Sequence, residues 1–258
     1  MKIKLCFLAV LLLVSCSERE NIKNHVFTDE IRLKTTPVKQ QGSSSLCWIY
    51  AMLATIETEH LMRGDSVNLS AVALFRQFQL PSQRGMAPMT LELLRRYGAY
   101  FHEYEALTSF THHPFGEQFV LEVPDNYFGC MFLNVPLDTL MARIDRALLA
   151  GHPVCWEGDT SESGFSFADG VAEILGRREI DKQEDKTLQT LRQRAFERFQ
   201  TTDDHTMALV GIARDEDGRR YYIAKNSWGT DNPYGGFMYL SEDYVRLKTI
   251  CIVLPRNF

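Results

Sequence analysis

Four residues of this sequence have types and spacing that suit acyl transfer: Gln41, Cys47, His205 and Asn226. A flexible run, Gln40-Gln41-Gly42-Ser43-Ser44-Ser45-Leu46, ends at Cys47, where an apolar segment without Pro or Gly begins. Apolar residues from Trp48 to Ile56 nearly fill every side of a helix, which predicts a helix buried all round. Thr55, Glu57, Thr58, Glu59 and His60 are expected to take it toward water. Cys47 then sits in the first turn, where unpaired amides and the positive end of the helix favour a thiolate at neutral pH. Six residues earlier, Gln41 is placed to fold back and offer its amide donor near the sulfur. His205 opens one predicted strand and Asn226 closes the next, so a hairpin brings both to one end of a sheet. A helix-terminal thiol facing a histidine that an amide orients is the arrangement thiol acyl transfer needs. Each residue alone has a plainer reading: Cys47 as inert core, His205 as a surface histidine, Asn226 as a turn residue.

The elements that must position them follow from periodicity. Arg63-Gly64-Asp65 reads as a turn rather than an adhesion signal, and Ser70 caps a helix running to about Phe78. Thr90 caps a short helix, Leu91 to Tyr97. Tyr100 to Phe132 is rich in aromatics and broken by Pro and Gly, which predicts a long ordered excursion without repeated secondary structure. Pro136 to Ala150 repeats apolar residues at helical spacing. Pro153 to Glu157 is a strand, Gly158 to Phe167 a loop, and Thr187 to Gln200 an amphipathic helix after a charged linker. Met207–Ile212 pairs with Tyr221–Lys225 across Asp215-Glu216-Asp217-Gly218, and residues 236–240 and 249–254 add further strands. Helices first and strands last predict an α+β domain in two parts, with a cleft between them.

Composition narrows the classes. The chain has 258 residues, 45% of them hydrophobic, with a formal net charge of -5. That describes one globular domain of ordinary size or two small ones, and its mildly acidic balance gives no sign of a nucleic-acid partner. Lys2 and Lys4 precede an apolar stretch, Leu5 to Val14, too short for a comfortable membrane span. Leu13-Val14-Ser15-Cys16 resembles a bacterial lipobox, which implies a signal peptide over 1–16, acylation of Cys16, and a lipid anchor holding the protein at the cell envelope, on the outer membrane because Ser17 is not acidic. Residues 17–35 are then a tether and surface wrap, and 36–258 the folded domain. In an oxidising compartment Cys130, Cys155 and Cys251 allow at most one disulfide, with Cys155 and Cys251 read as buried strand residues. No Cys-x-x-Cys pair and no spaced His/Cys cluster for zinc is present, and adjacent His112 and His113 read as exposed loop residues. No cofactor or metal is expected.

Gln41 to Trp48, Asp204-His205 and Asn226-Ser227-Trp228-Gly229 resemble, in chain order, the three signature regions of papain-like cysteine peptidases. Within that superfamily, Leu133 to Leu140, Gly211-Ile212-Ala213, Tyr221 to Thr230 and Ser241 to Arg246 are similar to the bleomycin hydrolase and bacterial aminopeptidase C branch. The likeness spans most of Thr36 to Leu254. It implies a papain-like fold: a mostly helical N-terminal lobe around a buried helix, a C-terminal lobe of antiparallel sheet, and the active site between them. It further implies that Cys47 is the nucleophile and His205 the general base and then acid. Asn226 would hold the imidazole in its useful tautomer, while Gln41 and the Cys47 amide form an oxyanion hole and Trp228 shields the Asn226–His205 hydrogen bond. Asp204 and Trp48 are supporting residues of the same motifs. Ser44 stands where many secreted relatives carry a disulfide cysteine, in keeping with the bleomycin hydrolase branch. That branch is longer, with a C-terminal tail that limits it to aminopeptidase action, whereas this chain ends soon after its last strand. The expected activity is hydrolysis of peptide or protein substrates through a thioester. The alternatives are a transamidase or isopeptidase on the same site, or an inactive binding module.

Overall fold

A computed structural model describes residues 25–98, 104–175 and 187–258. In chain order its elements are β1 (Thr28–Arg32), α1 (Cys47–Arg63), α2 (Ala71–Phe78), α3 (Ala87–Arg96), β2 (Tyr104–Thr108), β3 (Gln118–Val120), β4 (Met131–Asn134), α4 (Leu137–Leu149) and β5 (Val154–Gly158). They continue with β6 (Phe165–Ser166), β7 (Val171–Ala172), α5 (Leu188–Glu197), β8 (His205–Arg214), β9 (Arg220–Lys225), β10 (Phe237–Ser241), α6 (Glu242–Lys248) and β11 (Thr249–Pro255). The architecture is α+β, as the pattern of helices and strands predicts.

One continuous sheet runs β3-β4-β2-β11-β5-β8-β9-β10-β7-β6. Most neighbours are antiparallel, but β2–β4 and β7–β10 are parallel, so the sheet is mixed rather than wholly antiparallel. Its central strand is β8, with β9 along one edge. The other edge is shared: β5 pairs from His205 to Leu209, and β1 pairs from Gly211 to Arg214. Gly211 is required there, because a Cβ would stand 2.2 Å from the Ile31 carbonyl oxygen. Thus residues 28–32, expected as tether and surface wrap, add a strand to the sheet.

Alternation along β5 and β11 separates two cores. Val154, Trp156, Ile252 and Leu254 belong to one, with α4, β8 and β9. Cys155, Cys251 and Val253 belong to the other, with Trp48, Ile49 and Met52 of α1 and Leu93 of α3. All four described cysteines are free, and Cys155 and Cys251 are buried in strands as expected.

α1 is buried even more completely than its sequence suggests. Thr55, Glu57, Thr58 and Glu59 do not lead it to water; all four are buried. Glu57 is tolerated because its carboxylate accepts from Thr36 Oγ1, Lys39 Nζ and the Leu69 amide, each at 2.6 Å. Gly64, at φ 91°, takes the left-handed conformation that ends α1. α2 has the expected Ser70 cap, whose hydroxyl accepts from the Ala73 amide. α3 starts earlier than the Thr90 cap predicts, because Pro88 fits a first helical turn and buried Thr90 donates instead to the Trp48 carbonyl. The excursion from Tyr100 to Phe132 contains β2, β3 and the start of β4, three strands too short to show a period. No described helix is long and apolar enough to cross a membrane. The lipobox and Cys16 lie outside the described residues.

Candidate active site

Cys47 is the first residue of α1, and no side chain caps that helix end. The loop before it is fixed by a short bridge to the segment following β9. Gln40 pairs with Trp228, the Gln41 amide donates to the Ser227 carbonyl at 2.8 Å, and the Gly229 amide donates to the Lys39 carbonyl at 3.2 Å. That bridge sets the cysteine loop beside the residues after β9. His205 begins β8 and Asn226 follows β9, so the hairpin places them at one end of the sheet, as its sequence predicts.

There the imidazole meets the amide. His205 Nε2 lies 2.7 Å from Asn226 Oδ1, and that same oxygen accepts from the Ser227 amide at 2.7 Å. An oxygen already receiving one N–H acts as acceptor toward the ring too, so Nε2 carries the hydrogen and Nδ1 keeps a lone pair. The Trp228 ring covers the imidazole with centroids 4.4 Å apart, and Phe165 and Phe167 pack edge-on against Trp228. Cys47, His205, Trp228, Gln41 and Ser44 line one cavity of about 140 Å³, together with Thr206, Gly85, Arg84 and three aspartates.

Gln41 is held from both ends of its amide. Its Nε2 donates to the Ser44 carbonyl at 2.7 Å and carries a second hydrogen, while its Oε1 accepts from the Ser227 hydroxyl at 2.7 Å. The other supporting residues divide. Asp204 lines the cavity, but its carboxylate accepts from Thr160 and Ser161 on the loop after β5. Trp48 is wholly buried, donates its indole N–H to the Gln83 carbonyl and backs Gly85 of the cavity wall, a core role.

Burial weighs on the charge of both Cys47 and His205. Burial pushes the half-buried Cys47 thiol up to about 11, and the nearby Glu157 carboxyl adds to the rise. Hydrogen bonds involving Thr206 and the Trp48 amide work in the opposite direction. Burial also takes His205 down to about 4, against the Asn226 hydrogen bond. Burial thus opposes charge on both groups, against the thiolate that the helix end favours. Desolvation exceeds the effect of the first-turn amides.

Sequence reasoning missed Ser227, Thr206 and Glu157. Ser227 stood inside the Asn226-Ser227-Trp228-Gly229 motif, and Glu157 was a lone charge at the end of an apolar strand. Glu157 is 1% exposed and accepts from the Ala87 amide at 3.0 Å; burial raises its carboxyl to about 8. Two further acids, Glu57 and Asp159, are both buried and bonded elsewhere.

Residues 92–258 match the model of the Peptidase C1-like family, a span that contains His205 and Asn226 and begins after Cys47. The thiol protease SEN102 of Hemerocallis sp. is 25% identical over 217 residues, which is 79% of this chain and 50% of that protein. The chain spans about half the length of the curated relatives it matches. Among solved structures, PepW from Lactobacillus rhamnosis HN001 superposes with a TM-score of 0.65 at 14% identity, over 89% of this chain and 82% of that one. Bromelain from Ananas comosus, in complex with the E64 inhibitor, gives 0.53 at 15% identity over 86% and 93%. These likenesses show the papain-like α+β fold.

Proposed function

Because the chain belongs to the Peptidase C1-like family, we propose that it hydrolyses peptide bonds, with Cys47 as nucleophile and a thioester acyl-enzyme as intermediate. The observation that carries this reading is the 2.7 Å contact of His205 Nε2 with Asn226 Oδ1 at the wall of a cavity that Cys47 also lines. Substrate enters, the thiol proton goes to His205 Nδ1, and the sulfur attacks the carbonyl carbon. The Cys47 amide and the second Gln41 Nε2 hydrogen receive the developing oxyanion. His205 gives its proton to the departing amine, then takes one from water, which attacks the thioester; the C–S bond breaks, the acid leaves, and His205 returns the proton to the sulfur.

In this reading the two cores are the two lobes, and the cavity is part of the cleft between them. The bleomycin hydrolase branch remains the proposed placement, supported by Ser44 and by the free state of the four described cysteines. Anchoring at the bacterial cell envelope, on the outer membrane through acylated Cys16, is proposed from the lipobox-like sequence alone.

Incubation with E64 followed by peptide mass mapping tests the assignment. One adduct on Cys47, absent from Cys47→Ser, is expected. Labelling of another cysteine in preference to Cys47, or none at all, contradicts it.

A further inference from the structure

At the opposite end of β8 from His205, the imidazole of His25 is enclosed by carboxylates. Its side chain is fully buried, and neither ring nitrogen has a hydrogen-bond partner. Nδ1 lies 3.4 Å from Asp215 Oδ2 and 3.8 Å from Glu216 Oε2, and Nε2 lies 3.4 Å from Glu173 Oε1. These separations come without hydrogen-bond geometry. They are close to the spacing of two ligands on one tetrahedral ion, about 3.3 Å for bonds of about 2.0 Å.

We propose that His25 Nδ1, Asp215 Oδ2 and Glu216 Oε2 form a binding site for a divalent transition-metal ion, best suited to Zn²⁺. The three candidate donor atoms lie within 4.8 Å of one another. Glu173, Asp215 and Glu216 gather acidic groups around the ring, and Arg219 donates to Asp215 Oδ2 at 2.8 Å while lying 3.5 Å from Glu173 and 3.7 Å from Asp217. An imidazole ligand with carboxylates favours zinc over the oxygen-seeking Mg²⁺ and Ca²⁺.

The surroundings are built as an outer shell. Glu173 faces the ring nitrogen that the metal would not use, the place where a carboxylate fixes the tautomer of a ligating histidine, and Tyr221 donates its hydroxyl to Glu173. Asp215 Oδ1 accepts from the Asp217 and Arg219 amides, which orients its other oxygen. The Val26 amide donates to Glu216 at 3.0 Å, and Tyr234 donates to the His25 carbonyl at 3.2 Å. A bound ion would clip the segment leading into β1 to the β8–β9 turn.

The test uses the full chain with Cys47→Ser, His112→Ala and His113→Ala, which silences the active-site thiol and a second cluster formed by those histidines with Glu122. Zn²⁺ and Mg²⁺ are titrated separately by calorimetry, and thermal unfolding is followed. Expected are one Zn²⁺ per chain, at least tenfold weaker Mg²⁺ binding, and an unfolding midpoint raised by about 5 °C at a hundredfold excess over Kd. Adding either His25→Gln or Glu216→Gln should weaken Zn²⁺ at least tenfold. No Zn²⁺ binding by the reference chain, or equal binding after both substitutions, overturns the site.

Discussion

The Ser227 hydroxyl donates to Gln41 Oε1 at 2.7 Å, joining the loop before Cys47 to the residue after Asn226, the amide partner of His205. The same two residues are joined again through the Gln41 amide and the Ser227 carbonyl. The side-chain bond fixes which way the Gln41 amide turns, and so where its donor hydrogens point. Ser227→Ala leaves the backbone bridge and frees the side chain. Peptide turnover should fall about tenfold with little change in KM, the cost of a net hydrogen bond of about 1–1.5 kcal/mol expressed in the transition state. Steady-state kinetics check this, and a raised KM with unchanged kcat would place Ser227 in substrate binding instead.

Asn226→Ala removes the acceptor that keeps the hydrogen on His205 Nε2. The ring then loses both its orientation and the tautomer with Nδ1 open to the thiol proton. A fall in kcat of about a hundredfold is expected, at the lower end of what a positioned acid–base group contributes. Substrate affinity, read from inhibitor binding to the variant, should be nearly unchanged.

Glu157 affects both the thiol and the fold. Its buried carboxyl keeps a proton up to about pH 8, whereas an ordinary glutamate loses it near 4.5. Between those values the folded chain holds a proton that the unfolded chain has released, so this group's stabilising contribution is lost as pH rises through that window. His205 acts in the other direction: with its folded value near 4 and its ordinary value 6.5, stability is lost as pH falls from about 6.5 to 4. Glu157→Gln should flatten the decline in denaturant stability as pH rises from about 4.5 to 8 and leave the loss toward pH 4 that His205 causes. Above pH 8 it also removes a negative charge near Cys47, so iodoacetamide should alkylate the thiol faster than in the parent at pH 9. An unchanged alkylation profile would remove Glu157 from the site's electrostatics.

The catalytic candidates were legible because each occupies a punctuation point of the chain: Cys47 at a loop-to-helix boundary, His205 and Asn226 at the matching ends of two strands across a recognisable turn. What the sequence hid were pairings made over long separations. β1 is too short and polar to read as a strand; Arg32, for example, pairs with Gly211 far along the chain. β3 and β4 have the same difficulty, and α6 begins at acidic residues whose Ser241 cap was not recognised. The helix end that favours a thiolate is visible in sequence, whereas the burial that opposes it exists only in the fold.

Gly211→Ala tests the β1 pairing. The added carbon would press on the Ile31 carbonyl, so the β1–β8 seam should open while the β8–β9 hairpin survives. Hydrogen exchange should quicken at Ile31 and Leu33, with a stability loss of about 1–3 kcal/mol. Retained protection there would contradict the packing described.

The most direct measurement compares parent and Cys47→Ser on a mixed peptide library with free and blocked termini, reading products by mass spectrometry. Cleavage by the parent and essentially none by the serine variant is the expected result. Equal turnover by both proteins would contradict a cysteine nucleophile at the start of α1.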